Sequence, residues 1–420
     1  MSGPRSLVVV SVLVALVVLL GCPRTAEQAR DRVRSVANGV TRDAPACGRL
    51  VFVETDADER STMRLMPAAG GAIERLVAGS GQGSMFPAAV SPDGRMLLVL
   101  GSRKRSGGKT SDRFGLINLA ADPGLAADPG LAADPGLAAD RGRVRLLDLG
   151  SGEHQLRNPA WAPDGSWLVF ESDAHSFRDL YRVELGSGGV LRLTDNPEGN
   201  FEPSVSPDGQ RIAFVSSRTG NAEIFVMTAD GGAPRQLTES AGDDTAPRWS
   251  PDGQTLAFRS ARERARGIDV FVMDRDGGNP RPLVRDGSRT KSVLAADLVF
   301  SPDGTQLAFS EHDPRRGIAT IVVVDLGSGE VAARIASEAT SGSTSGSIWE
   351  HPTWSPDGRF LAFTRGRGAR SDIVRVRADG SDLEVLTDGS GQRWLPRWIA
   401  DPECPTVAPK LASGAPTGRG

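Results

Sequence analysis

The stretch APRWSPDGQTLAFRS, residues 246–260, returns in altered form as NPAWAPDGSWLVFES at 158–172, EPSVSPDGQRIAFVS at 202–216 and HPTWSPDGRFLAFTR at 351–365. Its centre is a Pro-Asp-Gly turn. Proline presets φ, aspartate binds nearby backbone amides, and glycine takes the cramped last position. The turn occurs six times, at 91–94, 162–165, 206–209, 250–253, 301–304 and 355–358, at spacings of 71, 44, 44, 51 and 54 residues. An apolar residue precedes each turn: Val90, Trp161, Val205, Trp249, Phe300 and Trp354. An apolar run such as LAF follows. Then come a polar loop, a second apolar strand such as EIFVMTADGG (223–232), and a short strand ending in LT (237–238). That is four short strands per forty-odd residues. Runs such as IAF and IFVM are apolar on both faces, as in a sheet stacked on both sides. Four-stranded units of this period, packed radially, make an all-β propeller.

The two ends supply incomplete units. RLVFVE (49–54), TMRLMPAAGG (62–71) and IERLV (73–77) are three strands with no preceding turn, and LPRWIADPE (395–403) is one inner strand without the rest. Joined, they make a seventh blade shared by head and tail, so the expected fold is a seven-bladed β-propeller of four-stranded blades. Six blades plus an N-terminal cap is the alternative. In the repeat's frame Cys47 aligns with Gly253 and Cys404 with Thr255, at one turn. A Cys47–Cys404 disulfide is therefore expected to pin the closure.

Apolar residues make up 39% and aromatics 5% of the 420 residues, with Gly 50 and Pro 28, a composition suited to many turns. The net charge of −3 gives no electrostatic case for nucleic acid. Residues 1–21 read as a signal peptide: Arg5 is followed by LVVVSVLVALVVLL (7–20), shorter than the ~20 apolar residues that span a bilayer. The segment ends in LLGC, which resembles a bacterial lipobox with Cys22 as the lipidated residue. Residues 22–47 read as a tether, 48–403 as the propeller and 404–420 as a flexible tail. The LAADPG tandem at 119–140 reads as a low-complexity loop inside the second unit.

The run NAEIFVMTADGGAPRQLT, followed by PRWSPDGQTLAF, resembles the TolB-like propeller repeat of bacterial envelope proteins. The resemblance covers about residues 48–402 and implies a propeller that binds other proteins outside the cytoplasm. The α/β domain that precedes the propeller in TolB has no room between Cys22 and Cys47. A TolB-like lipoprotein is the closer description, held in the envelope through its lipid, with the outer membrane facing the periplasm as the expected site.

The chemistry-bearing residues are few. The turn aspartates 93, 164, 208, 252, 303 and 357 are read as turn formers, and Trp161, Trp249, Trp354 and Trp398 as core between blades. His154, His175, His312 and His351 show no metal-ligand spacing, and no Gly-x-Ser-x-Gly elbow is present. No catalytic residue, metal or cofactor is expected. Loops between second and third strands carry arginines: Arg103, Arg262, Arg264, Arg266, Arg315, Arg316, Arg365 and Arg367. Guanidinium groups on one rim suit carboxylate or phosphate. The expectation is a monomeric, non-catalytic scaffold whose rim binds an envelope protein, a peptide or an anionic ligand. The rivals are an enzyme of lyase or cyclotransferase type at the channel mouth, and a structural subunit of an envelope assembly.

Overall fold

Five of the six Pro-Asp-Gly turns repeat the same hydrogen bonds. Ser91, Ser206, Ser250, Ser301 and Ser355 each donate a hydroxyl to the turn aspartate at 2.5–2.7 Å. The same aspartate accepts the amide two residues on, as Arg95 to Asp93 and Gln210 to Asp208, both at 3.0 Å. The turn glycines lie at φ of 68–73°, open to glycine and costly for other residues. The Ser91 hydroxyl and the Arg95 amide hold the Asp93 carboxyl below its usual range. The amide and hydroxyl of Ser166 do the same for Asp164.

This computed structural model describes residues 45–56, 58, 60–78, 83–104, 110–119, 144–149, 154–262, 268–284, 292–293, 298–313, 318–336, 347–367, 370–401 and 403–409. Cys22, Arg264, Arg266, Arg315, Arg316, most of the 119–140 tandem and the tail beyond 409 lie outside the described residues. Within them no helix is long and apolar enough to cross a membrane.

The strands form antiparallel sheets, each taking four consecutive segments. The first blade comprises Gly83–Val90, Met96–Lys104, Thr110–Asn118 and Arg145–Leu146; the second Leu156–Trp161, Trp167–His175, Phe177–Glu184 and Val190–Arg192. The third comprises Asn200–Val205, Arg211–Ser216, Glu223–Thr228 and Arg235–Gln236; the fourth Asp244–Trp249, Thr255–Ser260, Asp269–Asp274 and Arg281–Pro282. In the fifth the inner strand is split into Ser292–Val293 and Val299–Phe300, ahead of Gln306–Asp313, Ile318–Asp325 and Val331–Ala336.

The expected seven separate sheets are not what the hydrogen bonding gives. Five blades stand alone among the described residues, and the remaining strands run into one sheet of eight. The join is a single parallel bridge, Ser371 to Gln392. On one side lie Ser347–Trp354, Phe360–Arg367, Arg370–Arg377 and Glu384–Val385; on the other Gln392–Ile399, Arg49–Thr55, Ser61–Pro67 and Glu74–Ala78.

Burial follows the repeat. Phe170, Phe214, Phe258, Phe309, Phe363 and Phe52 sit on second strands or their counterpart at 0–2% exposure, which sets them as the centre of each sheet's packing. The tryptophans also tie blades together. Trp249 Nε1 donates to the Ser204 carbonyl at 3.2 Å and Trp354 Nε1 to that of Val299 at 3.1 Å, each in the preceding blade. A buried indole N–H needs such a partner.

Head and tail meet as expected. The strand Arg49–Thr55 pairs antiparallel with Gln392–Ile399. Cys47 and Cys404 form a disulfide with Cα atoms 5.6 Å apart. Arg49 Nε reaches Asp401 at 2.7 Å, and Trp398 Nε1 donates to the Cys47 carbonyl at 2.8 Å. Gly48 makes this approach possible: at φ 92°, a Cβ there would lie 2.4 Å from the Ile399 carbonyl oxygen and 2.9 Å from Trp398 Nε1. Gly48→Ala is expected to destabilise by about 2 kcal/mol, from left-handed strain plus the backbone clash. A urea titration that leaves the midpoint unmoved would show that the junction yields.

Candidate functional site

The connections between second and third strands emerge on the same side as the loops between blades. Three repeated devices shape that side. The first is an acid at the head of the third strand, bound to the threonine of the LT dipeptide. Thr194 Oγ1 donates to Asp179 at 2.9 Å, Thr238 Oγ1 to Glu223 at 2.6 Å and Thr387 Oγ1 to Asp372 at 2.7 Å. Each threonine oxygen in turn accepts the amide after the acid: Leu180 at 3.0 Å, Ile224 at 2.9 Å and Ile373 at 3.2 Å. The clamp anchors the start of each loop between blades. A buried carboxylate is tolerated there because donors surround it. Asp179, with no exposed surface, also accepts Asn200 Nδ2 at 3.0 Å and pairs with Arg192 at 2.5 Å.

The second device is an arginine laid over two rings. The Arg218 guanidinium lies 4.7 Å from the centre of Phe225 and 5.8 Å from that of Phe214. Arg262 repeats this at 4.6 Å from Phe271 and 5.5 Å from Phe258. Each also binds the serine on its second strand and the first residue of its inner strand. Arg218 donates to Ser216 at 2.9 Å and Asn200 at 3.0 Å, and Arg262 to Ser260 and Asp244, both at 2.8 Å. Asp244 has no exposed surface, and burial raises its carboxyl above the usual range despite Ser260 and Arg262.

The third device is a bulge on the inner strands. Asn158, Glu202, Ala246, His351 and Leu395 each precede a proline, stand at a register shift, and have φ of 44–59°. The bulge frees an amide, and a side chain from the preceding blade takes it. Glu171 accepts Glu202 N at 2.6 Å, Glu202 accepts Ala246 N at 2.7 Å, and Thr364 accepts Leu395 N at 3.1 Å. Glu171 also takes Asn158 Nδ2 at 2.6 Å, with Arg178 at 3.6 Å. Burial raises the Glu171 carboxyl above its usual range, against the pull of Asn158, the Glu202 amide and Arg178. The folded state therefore holds this proton more tightly than the unfolded chain. The resulting stability is present at low pH and is lost as pH rises through the folded pKa. Glu171→Gln is expected to remove that loss and stabilise by on the order of 1 kcal/mol at neutral pH. Melting curves from about pH 5 to about pH 7.5 test this, and a variant that tracks the wild type throughout would contradict it.

A cavity of about 1140 Å³ lies between the first and second blades, running from Leu156 on an inner strand to Val190 and Arg192 on an outermost one. Two of the four histidines, His154 and His175, line it with Tyr181. Tyr181 Oη and His175 Nδ1 share a 2.7 Å hydrogen bond, and burial raises the phenol further above neutrality. His312 and His351 lie on other blades. Among the described residues no three of His, Cys, Asp and Glu gather as a metal site.

Residues 194–399 match the TolB β-propeller domain. Over that stretch, just under half of the 420 residues, the chain is similar to the TolB-like β-propeller family. This TolB-like chain is also 44% identical over 45 residues to an uncharacterized protein of Agrobacterium fabrum, a stretch spanning 11% of the chain and 15% of that protein. TolB from Acinetobacter baumannii is 20% identical, with 87% of this chain and 84% of that one covered and a TM-score of 0.48. Oligogalacturonate lyase from Vibrio parahaemolyticus is 14% identical, with 83% and 87% covered and a TM-score of 0.52. At such identity the likeness to the lyase extends to the fold alone.

Of the rim arginines expected from the loops between second and third strands, the described residues place two side chains. Arg262 is held inside its blade by Asp244 and two rings, and Arg365 Nη2 lies 3.8 Å from Asp372. Arg103 and Arg367 are placed by backbone only, opposite Gly83 and Ser347 in their ladders. The acid–threonine clamp escaped the sequence reading. Its signal was the constant 15-residue separation of Asp179–Thr194, Glu223–Thr238 and Asp372–Thr387.

Proposed function

We propose that this chain is a non-catalytic scaffold of the cell envelope, a seven-bladed propeller tethered through a lipid on Cys22, which binds a partner protein or peptide with its loop side. The observation that carries the reading is how the repeated polar residues are used. Turn aspartates, clamp acids and stacked arginines are bound to backbone or neighbouring side chains, so they hold loops in fixed places. A rigid frame with fixed loops suits recognition.

The eight-stranded sheet is counted here as two blades. Leu50 lies opposite Trp398 as Leu256 lies opposite Trp249 and Leu361 opposite Trp354. Phe52 follows Leu50 by two residues, as Phe258 follows Leu256. The quartet of Gln392–Ile399 with the three N-terminal strands thus keeps the register of the other blades. The inner strands also touch in series through the closure, with 347–354 against 392–399 and 392–399 against 83–90.

Cross-linking the full chain in cells, followed by mass spectrometry, tests the scaffold. A reproducible envelope partner is expected, with capture weakened by Arg264→Glu combined with Arg367→Glu. Unchanged capture by the double variant would move the contact away from the arginine rim. Retrieval of no partner, together with turnover of an added polysaccharide, would replace the scaffold with the lyase-type enzyme.

A further inference from the structure

The first blade breaks the acid–threonine clamp. Its Leu147 amide donates to the Phe114 carbonyl at 2.9 Å, as Leu193 does to Leu180 at 2.8 Å, Leu237 to Ile224 at 2.7 Å and Leu386 to Ile373 at 2.9 Å. That bond sets a common register. The residue before the acceptor is Asp179, Glu223 or Asp372 in the clamped blades and Arg113 here. The residue after the donor is Thr194, Thr238 or Thr387 there and Asp148 here. Charge at the head of the third strand is therefore inverted. Asp179 and Glu223 are buried, whereas Arg113 is exposed. Across the ladder Arg113 faces Gly101, which has no side chain to bind it, where Glu223 faces Ser216.

Arg113 lines the cavity of about 1140 Å³ between the first and second blades. The carboxylates and the other guanidinium of that lining are engaged. Asp112 accepts the Leu156 amide at 3.1 Å, Asp148 has a partner of its own, and Arg192 binds Asp179 and Asp195. Among the described residues the Arg113 guanidinium makes no hydrogen bond or ion pair. His154 also lines the cavity and can donate through a ring nitrogen. Phe170 and Tyr181 are buried, so the open apolar wall comes from other residues. Leu146, Leu149 and Ala174 are half-buried there, and Val190 is 42% exposed.

We infer that this cavity binds a small organic acid, with its carboxylate on the Arg113 fork and an apolar chain against Leu146, Leu149, Ala174 and Val190. A guanidinium meets a carboxylate with two parallel hydrogen bonds, and an apolar wall with few polar groups suits a chain of several carbons. Asp112 and Asp148 in the lining oppose a second negative charge, which favours a monocarboxylate over a doubly charged phosphate. The site goes beyond the scaffold reading and does not depend on it.

The chain has one tyrosine, Tyr181, which lines the cavity and shares a hydrogen bond with His175, so ring-¹³C-tyrosine labelling of the full chain gives a single reporter. The probes are hexanoate, hexanol, acetate and hexylamine, titrated against the Tyr181 ring signals. Hexanoate is expected to shift them saturably in the millimolar range, about fivefold more tightly than hexanol or acetate, each of which lacks one half of the ligand. Hexylamine should leave them in place. Arg113→Gln should lower hexanoate affinity roughly tenfold with the melting temperature unchanged, since the side chain removed is exposed and unbonded. Should that variant fold poorly, Val190→Ser reports instead, with hexanoate affinity lowered severalfold and the acetate response retained. No saturable shift with hexanoate, hexanol or hexylamine binding as tightly, or unaltered hexanoate affinity in the variants would overturn the site. Such a failure leaves partner capture, and with it the scaffold reading, untouched.

Discussion

Cys404→Ser is expected to lower the melting temperature by roughly 5 °C with no change in strand content. The bond joins residues 357 positions apart, so its removal frees nearly the whole unfolded chain. In the entropy treatment a closure of this length contributes about 3–5 kcal/mol. A folded unit of some 350 residues unfolds with an entropy of about 0.7 kcal/mol/K, which dilutes that loss to a few degrees. Strand content should persist because the ladder between Arg49–Thr55 and Gln392–Ile399 closes the sheet without the sulfurs. Cys47→Ser combined with Cys404→Ser should cost no more than either change alone, since both remove one bond. Calorimetry of oxidised and reduced wild type is the direct check. Superimposable melts would show that the cross-link contributes nothing.

Asp179→Ala should cost about 3–5 kcal/mol, the usual result of deleting one member of a buried charge pair. The carboxylate serves Thr194, Asn200 and Arg192 together. Its loss leaves a guanidinium without its closest anion and buried donors without acceptors. Asp179→Asn keeps an oxygen toward Thr194 and should lose roughly half as much. Hydrogen exchange at Leu180 distinguishes a local from a global effect, because that amide donates to the Thr194 hydroxyl. Faster exchange at Leu180 with an unaltered denaturation midpoint would confine the clamp to loop anchoring.

The fold was legible because the repeat encodes its own geometry. Pro-Asp-Gly specifies a turn, the LAF phenylalanine specifies the middle of a sheet, and Trp398 in the frame of Trp249 announces an inner strand without its blade. The cysteine pair followed from that frame. The arginine rim was less legible, because the letter alone does not tell which cations a blade consumes. Arg262 looked available in sequence, yet it is sandwiched between Asp244 and two rings. The single bridge between Ser371 and Gln392 that merges two quartets into one sheet has no sequence signal at all.

Because the N-terminal strands find their hydrogen-bonding neighbour at residues 392–399, the head of the chain must wait for the tail. Until that strand is made, Arg49–Thr55 presents a raw edge, an invitation to mispairing between nascent chains. Maturation of this protein should therefore be governed by residues 392–399, and escorts that shield early strands would act before the ring exists.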